Sequence, residues 1–140
     1  MAVPETMTAL VFHGPADLRI ETVPTPRIGP TDVLVAVRAC GICGTDLNMF
    51  TGDFQVRRLP LIPGHEFAGE IVAVGEDVKG LQVGDRVTVD INLTCGVCYW
   101  CRRGEDLLCS ELQQIGIDLA GAFADYVKAP AAHVYHLPAA

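Results

Sequence analysis

The densest chemistry in this chain lies in residues 95–109, where Cys95, Cys98, Cys101 and Cys109 read C-x2-C-x2-C-x7-C. Four thiolates in so short a loop can close a tetrahedral shell around one soft divalent ion. Zinc fits best, because it accepts sulfur ligands without redox chemistry and imposes no electronic geometry. Four protein ligands leave no open position, so this site is expected to be structural, holding a lobe over about residues 92–112 that has no core of its own. The competing readings are two disulfides or free buried thiols. Disulfides need an oxidising compartment. The opening Met1–Thr8 lacks a basic start followed by an apolar run, so no signal peptide is expected and the location implied is cytoplasmic.

A second, looser constellation combines Cys40 and Cys43 with His65-Glu66. A thiolate and an imidazole from the ends of two different elements can converge on one zinc. Three protein ligands plus water is the usual open arrangement of a catalytic ion. On its own the Cys40-x-x-Cys43 spacing stays ambiguous: it also suits a redox pair or two packed thiols. His65 alone would more often be an ordinary exposed or hydrogen-bonded histidine.

These residues need a scaffold, and the rest of the sequence describes one. The chain has 140 residues, half of them hydrophobic, enough for one ordinary domain with a core. The net charge is −7 and no basic stripe is present, which argues against nucleic acid. No segment approaches the roughly 20 apolar residues of a membrane span. Strands are expected over 8–13, 17–23, 32–39, 66–74, 86–90, 123–128 and 133–136, with Gly and Pro punctuating them. One short helix is expected from Thr45 to Phe50, with Thr45 or Asp46 near its N-cap. Many short strands and one short helix make a mainly β protein, a small barrel or sandwich.

Taken in order, Cys43-Gly-Thr-Asp46, Gly64-His65-Glu66-x-x-Gly69-x5-Gly75, Gly84-Asp85-Arg86-Val87 and the four-cysteine lobe closely resemble the N-terminal catalytic domain of zinc-dependent medium-chain alcohol dehydrogenases, nearest the polyol and threonine branch. The resemblance runs over essentially residues 1–140. It implies a GroES-like, partly open β-barrel with a short helix and a zinc-stabilised loop lobe. It also implies roles: Cys43 and His65 as ligands of a catalytic zinc, Glu66 beside the ion as a direct or water-mediated ligand, and Asp46 as the carboxylate that orients His65. Thr45 resembles the hydroxyl that bonds the substrate oxygen and begins a proton relay. Thr45, Phe50 and Phe54 are expected near the substrate. Cys40 matches no ligand position and is expected as a buried small side chain. His13, His133 and His136 match none either. Gly64, Gly69 and Gly75 are expected to permit tight turns or close packing.

The chemistry implied is oxidation of an alcohol or polyol to a carbonyl, with zinc as the Lewis acid and NAD or NADP as the hydride acceptor. Three departures qualify it. No G-x-G-x-x-G follows a strand, so no nucleotide site is expected within these residues and the Rossmann domain must come from the same or another chain. A further catalytic ligand is expected beyond residue 140. Many relatives carry His where Asn48 stands, and an amide cannot titrate near neutrality. The isolated 140 residues are therefore expected to be nearly inactive. Homo-oligomerisation is possible on the resemblance. A non-catalytic zinc-stabilised β-barrel serving as an interaction module is the alternative from a different class. A thiol redox protein acting through Cys40 and Cys43 is weaker, since no thioredoxin-like pattern surrounds the pair.

Overall fold

A computed structural model describes residues 3–138 of the chain. In chain order its elements are β1 (Thr6–Gly14), β2 (Asp17–Pro24), β3 (Asp32–Gly41), α1 (Gly44–Thr51), β4 (Glu66–Val74), β5 (Arg86–Val89), β6 (Asn92–Leu93), β7 (Gln113–Gln114), β8 (Tyr126–Pro130) and β9 (Val134–His136). Five strands form one antiparallel sheet in the order β8-β3-β4-β5-β9. β1 and β2 make a separate hairpin, and β6 pairs with β7. The sheets remain open among the described residues, and the fold is mainly β, as expected.

Alternation of side chains builds the core. Phe67 and Ile71 of β4, Val87 and Val89 of β5, and Val127 and Ala129 of β8 point to one buried face. They meet Val33 and Val35 of β3, both fully buried. Leu34 is buried as well, so this stretch of β3 is covered on both faces. β3 is irregular opposite β4, with register shifts between Leu34 and Val35 and between Val37 and Ala39. Gly69 fits that irregularity: a Cβ there would stand 2.2 Å from the Ala36 carbonyl oxygen.

A smaller cluster of Phe12, Met49 and Leu61 docks the helix. α1 spans eight residues, too short to be stable alone, and Met49 is its one buried side chain. Gly52 ends it in the left-handed conformation, donating its N–H to the Asn48 and Met49 carbonyls.

Three expectations need correction. The N-cap of α1 is Cys43, not Thr45 or Asp46; its sulfur accepts from the Thr45 N–H at 3.4 Å. His133 sits in a short 3-10 turn, Ala131–His133, and only Val134–His136 is strand. Residues 123–125 precede β8 instead of opening it, because their backbone is committed elsewhere. Leu10 donates to Phe123 O, Phe123 donates to Pro63 O, and Asp125 donates to Thr8 O, so this segment ties β1 to the loop before β4.

Candidate metal centres

The antiparallel β3–β4 ladder decides where the looser constellation comes together. Its last rung pairs Gly41 with Glu66. Cys43 lies just past the end of β3 and His65 just before the start of β4, so residues far apart in sequence become neighbours. One ligand atom each of Cys43, His65 and Glu66 lies within 4.8 Å of the others. Cys43 and His65 are half-buried and Glu66 is exposed.

Asp46 binds the arrangement together. One carboxylate oxygen, Oδ2, accepts the Cys43 backbone N–H at 2.9 Å, completing a capping box at the start of α1. The other, Oδ1, faces His65 Nδ1 at 3.5 Å, longer than an ordinary hydrogen bond. Each side chain is 8% exposed, and neither of those two atoms has any other partner. With Nδ1 turned to Asp46, Nε2 is the ring atom left for a ligand role. A histidine ligand usually has such a partner, because it fixes the tautomer and the ring orientation. A soft thiolate, an imidazole and a carboxylate suit zinc. The donor chemistry and the orphaned pair behind it therefore both fit that ion. The Thr45 hydroxyl stands 3.6 Å from the Cys43 sulfur.

His65 is held by the loop before it. Gly64 has φ +92°, and a Cβ there would fall 2.6 Å from Phe123 N. The strand-like contacts Gly121 N–H to Ile62 O, Phe123 N–H to Pro63 O and Ala122 N–H to Gly64 O fix the loop's backbone. Gly64→Ala is expected to destabilise the domain by about 2 kcal/mol or more, from the left-handed backbone and the clash together. A lower denaturant midpoint at unchanged slope would show this. Gly116 belongs to the same support, since a Cβ there would lie 3.1 Å from His65 Cβ and 2.4 Å from Gly64 O. Sequence reasoning missed Gly116; a single glycine in a loop carries no signal of the backbone it will meet.

Cys40 lies nearby but outside the group, half-buried against the main core. It is less covered than expected. Burial pushes its thiol upward, and the Asp46 and Glu66 carboxylates add to that, so it stays protonated. A protonated thiol is a poor nucleophile, which weighs against a redox role. His13 pairs with Glu21 at 2.7 Å and His136 with Asp85 at 2.9 Å, both away from the group. Phe50 lines an open apolar groove with Asp46, Leu47 and Phe123, whereas Phe54 lines a separate depression with Phe12 and Pro15.

The second centre is the lobe between β6 and β7. The sulfurs of Cys95, Cys98, Cys101 and Cys109 all lie within 4.8 Å of one another, and all four thiols are free. Cys98 and Cys101 sulfurs are 3.5 Å apart and Cys95 and Cys101 sulfurs 3.9 Å. A Zn–S bond of about 2.3 Å places the corners of a tetrahedron about 3.8 Å apart, so the spacing fits zinc. Backbone N–H groups of Cys95, Cys98 and Cys101 donate to the sulfurs of Cys109, Cys95 and Cys98 at 3.4, 3.3 and 3.5 Å. These dipoles favour thiolate charge. The Cys101 N–H, first among the causes, brings Cys98 down to about 6. Burial and the hydrogen bond with Cys98 push Cys101 up to about 12. Four thiolates this close repel one another, and a divalent cation removes that conflict.

The chain matches the alcohol dehydrogenase GroES-like domain over residues 29–139 and belongs to that family. It is 43% identical to D-arabinitol dehydrogenase 1 of Uromyces fabae, over 95% of this chain and 38% of that protein. It is also 43% identical to the sorbitol dehydrogenase of Bacillus subtilis, over 97% of this chain and 40% of that one. Among solved structures, the cobalt- and zinc-bound thermostable alcohol dehydrogenase of Pyrobaculum aerophilum superposes with a TM-score of 0.88 at 34% identity, covering 96% of this chain and 42% of its own. The chain thus spans about two fifths of the length of the curated relatives it matches.

Proposed function

We propose that these residues are the zinc-binding catalytic part of an NAD(P)-dependent alcohol or polyol dehydrogenase. The observation that carries this is Asp46: one buried carboxylate fixes the Cys43 backbone with one oxygen and faces His65 with the other. A barrel that merely presents a surface needs no such device. Cys43, His65 and Glu66 would hold the catalytic ion, and Cys95, Cys98, Cys101 and Cys109 a structural one. The names of the arabinitol and sorbitol relatives support a polyol as substrate.

When bound, zinc supplies Lewis acidity toward an alcohol oxygen and lowers its pKa. The protein's own groups do the rest. Asp46 keeps the His65 ring in one orientation. The Thr45 hydroxyl, beside Cys43, accepts the proton of the substrate hydroxyl and passes it outward. Asn48 lies on the same helix and is exposed, so the proton path ends at solvent without a titrating partner. NAD or NADP, which a Rossmann domain in the same or another chain would hold, would supply the hydride acceptor. The lobe presents Val97, Tyr99, Leu107 and Leu108 at 55–72% exposure, which supports its being covered in the assembled protein by another domain or a like subunit. No helix among the described residues is long and apolar enough to cross a membrane. Six free cysteines suit a reducing cytoplasm.

The test is alcohol-dependent reduction of NAD⁺ and NADP⁺ by the whole polypeptide across sorbitol, arabinitol, threonine and simple alcohols. Failure with all of them, with both zincs present, would contradict the proposal. Asp46→Asn is expected to weaken zinc at the Cys43–His65 site roughly 10–100-fold, as loss of a ligand's outer partner does. Chelator competition reads that directly, and the lobe zinc should hold unchanged.

A further inference from the structure

We infer that Gly41 is a positioning residue for the Glu66 carboxylate, an inference that rests on the ligand reading of Cys43, His65 and Glu66. Gly41 and Glu66 form the closing rung of the β3–β4 ladder. A Cβ built on Gly41 would stand 2.9 Å from Glu66 Oε2, 3.4 Å from Glu66 Cβ and 3.6 Å from Glu66 O. The three nearest heavy atoms beyond its chain neighbours all belong to Glu66.

Two further facts make this space matter. Among the described residues the Glu66 carboxylate has no hydrogen bond and no ion pair to hold it. Glu66 is exposed, so it is free to swing outward. The empty volume over Gly41 is what the carboxylate uses to remain within 4.8 Å of the Cys43 and His65 ligand atoms. A methyl group there overlaps Oε2 and displaces the carboxylate. The displacement is easily made, because Oε2 ends a flexible side chain. The backbone of Gly41 lies outside the left-handed region and is exposed, so alanine is compatible with the strand. A substitution at this position should therefore change the ligand group and leave the fold intact. Gly44, three residues on, meets nothing within 4 Å and serves as the control.

The probe is Co²⁺ added to the whole polypeptide, read by competition titration and by its visible absorption, which reports the ligand set. Cys43→Ser isolates the signal of the four-cysteine site for subtraction. Gly41→Ala is expected to weaken Co²⁺ at the Cys43–His65 site about tenfold. It should also shift the spectrum as Glu66→Ala does. In a Glu66→Ala background, adding Gly41→Ala should change neither quantity, and Gly44→Ala should behave as the unaltered protein. Unaltered Co²⁺ binding by Gly41→Ala while Glu66→Ala is weakened would overturn this inference alone. An equal loss from Gly41→Ala in both backgrounds would overturn it too, because that marks a general structural effect. Wild-type binding by Glu66→Ala would overturn the ligand role of Glu66 and the inference with it.

Discussion

Cys98→Ser is expected to remove one zinc per chain and to open the lobe between β6 and β7 to proteolysis. The lobe has little else to hold it. Of residues 95–109 only Cys109 is buried, while Val97, Tyr99, Trp100, Leu107 and Leu108 are all exposed. Its regular structure is two 3-10 turns of three residues each, closed by the two rungs Asn92–Gln114 and Leu93–Gln113. One edge-to-face contact of Tyr99 with Trp100, and Arg103 over the Tyr99 ring, complete it. Structural zinc sites contribute about 10–16 kcal/mol of apparent binding free energy, comparable with the whole stability of a domain. The sheet has its own core in Val33, Val35, Ile71 and Val87 and should survive. The signature is thus local: new cleavage within 94–112, one zinc fewer and little change in strand content. Full zinc content with unchanged cleavage would refute the four-thiolate site.

The other large effect is expected from His65→Ala. Loss of the buried ring should release the ion at the Cys43 site and leave the lobe zinc in place. Lewis-acid stabilisation is worth several kcal/mol in the transition state, so turnover by the whole polypeptide should fall roughly 1,000-fold or more. The variant also leaves Asp46 Oδ1 facing a cavity instead of an imidazole. Paired measurements of zinc content and kcat separate the outcomes. A variant with one zinc and near-normal kcat would place catalysis elsewhere.

The two centres differ in how far the sequence discloses them, and the reason is the span of chain each one uses. The lobe's four ligands lie within residues 95–109, so spacing alone predicts convergence, and the sulfurs do converge. The Cys43–His65 group depends on the register of β3 against β4, which no local pattern states; residue types make the grouping conceivable, and the family resemblance is what gives its members roles. Asp46 carries two readings, helix cap and histidine partner: its Oδ2 makes the cap, and its Oδ1 lies 3.5 Å from His65 Nδ1 without a hydrogen bond. The misplaced N-cap has a plain cause. Cysteine is not among the usual capping residues, yet Cys43 followed at the third position by Asp46 forms a capping box with sulfur in place of a hydroxyl. His133 stands beside strand residues in sequence, but the chain makes a 3-10 turn directly after Pro130 and the strand begins only at Val134. The close approaches at Gly41, Gly64 and Gly116 involve partners distant in sequence, so the sequence shows a glycine and not what it must clear.

The central claim is that the chain holds two different ions, one closed in sulfur and one open to substrate. Native mass spectrometry of the whole polypeptide tests it most directly, since it counts zinc and weighs the chain together. The account predicts two zinc ions per chain, falling to one in Cys43→Ser and to one in Cys98→Ser. A single zinc that persists in Cys43→Ser would contradict it.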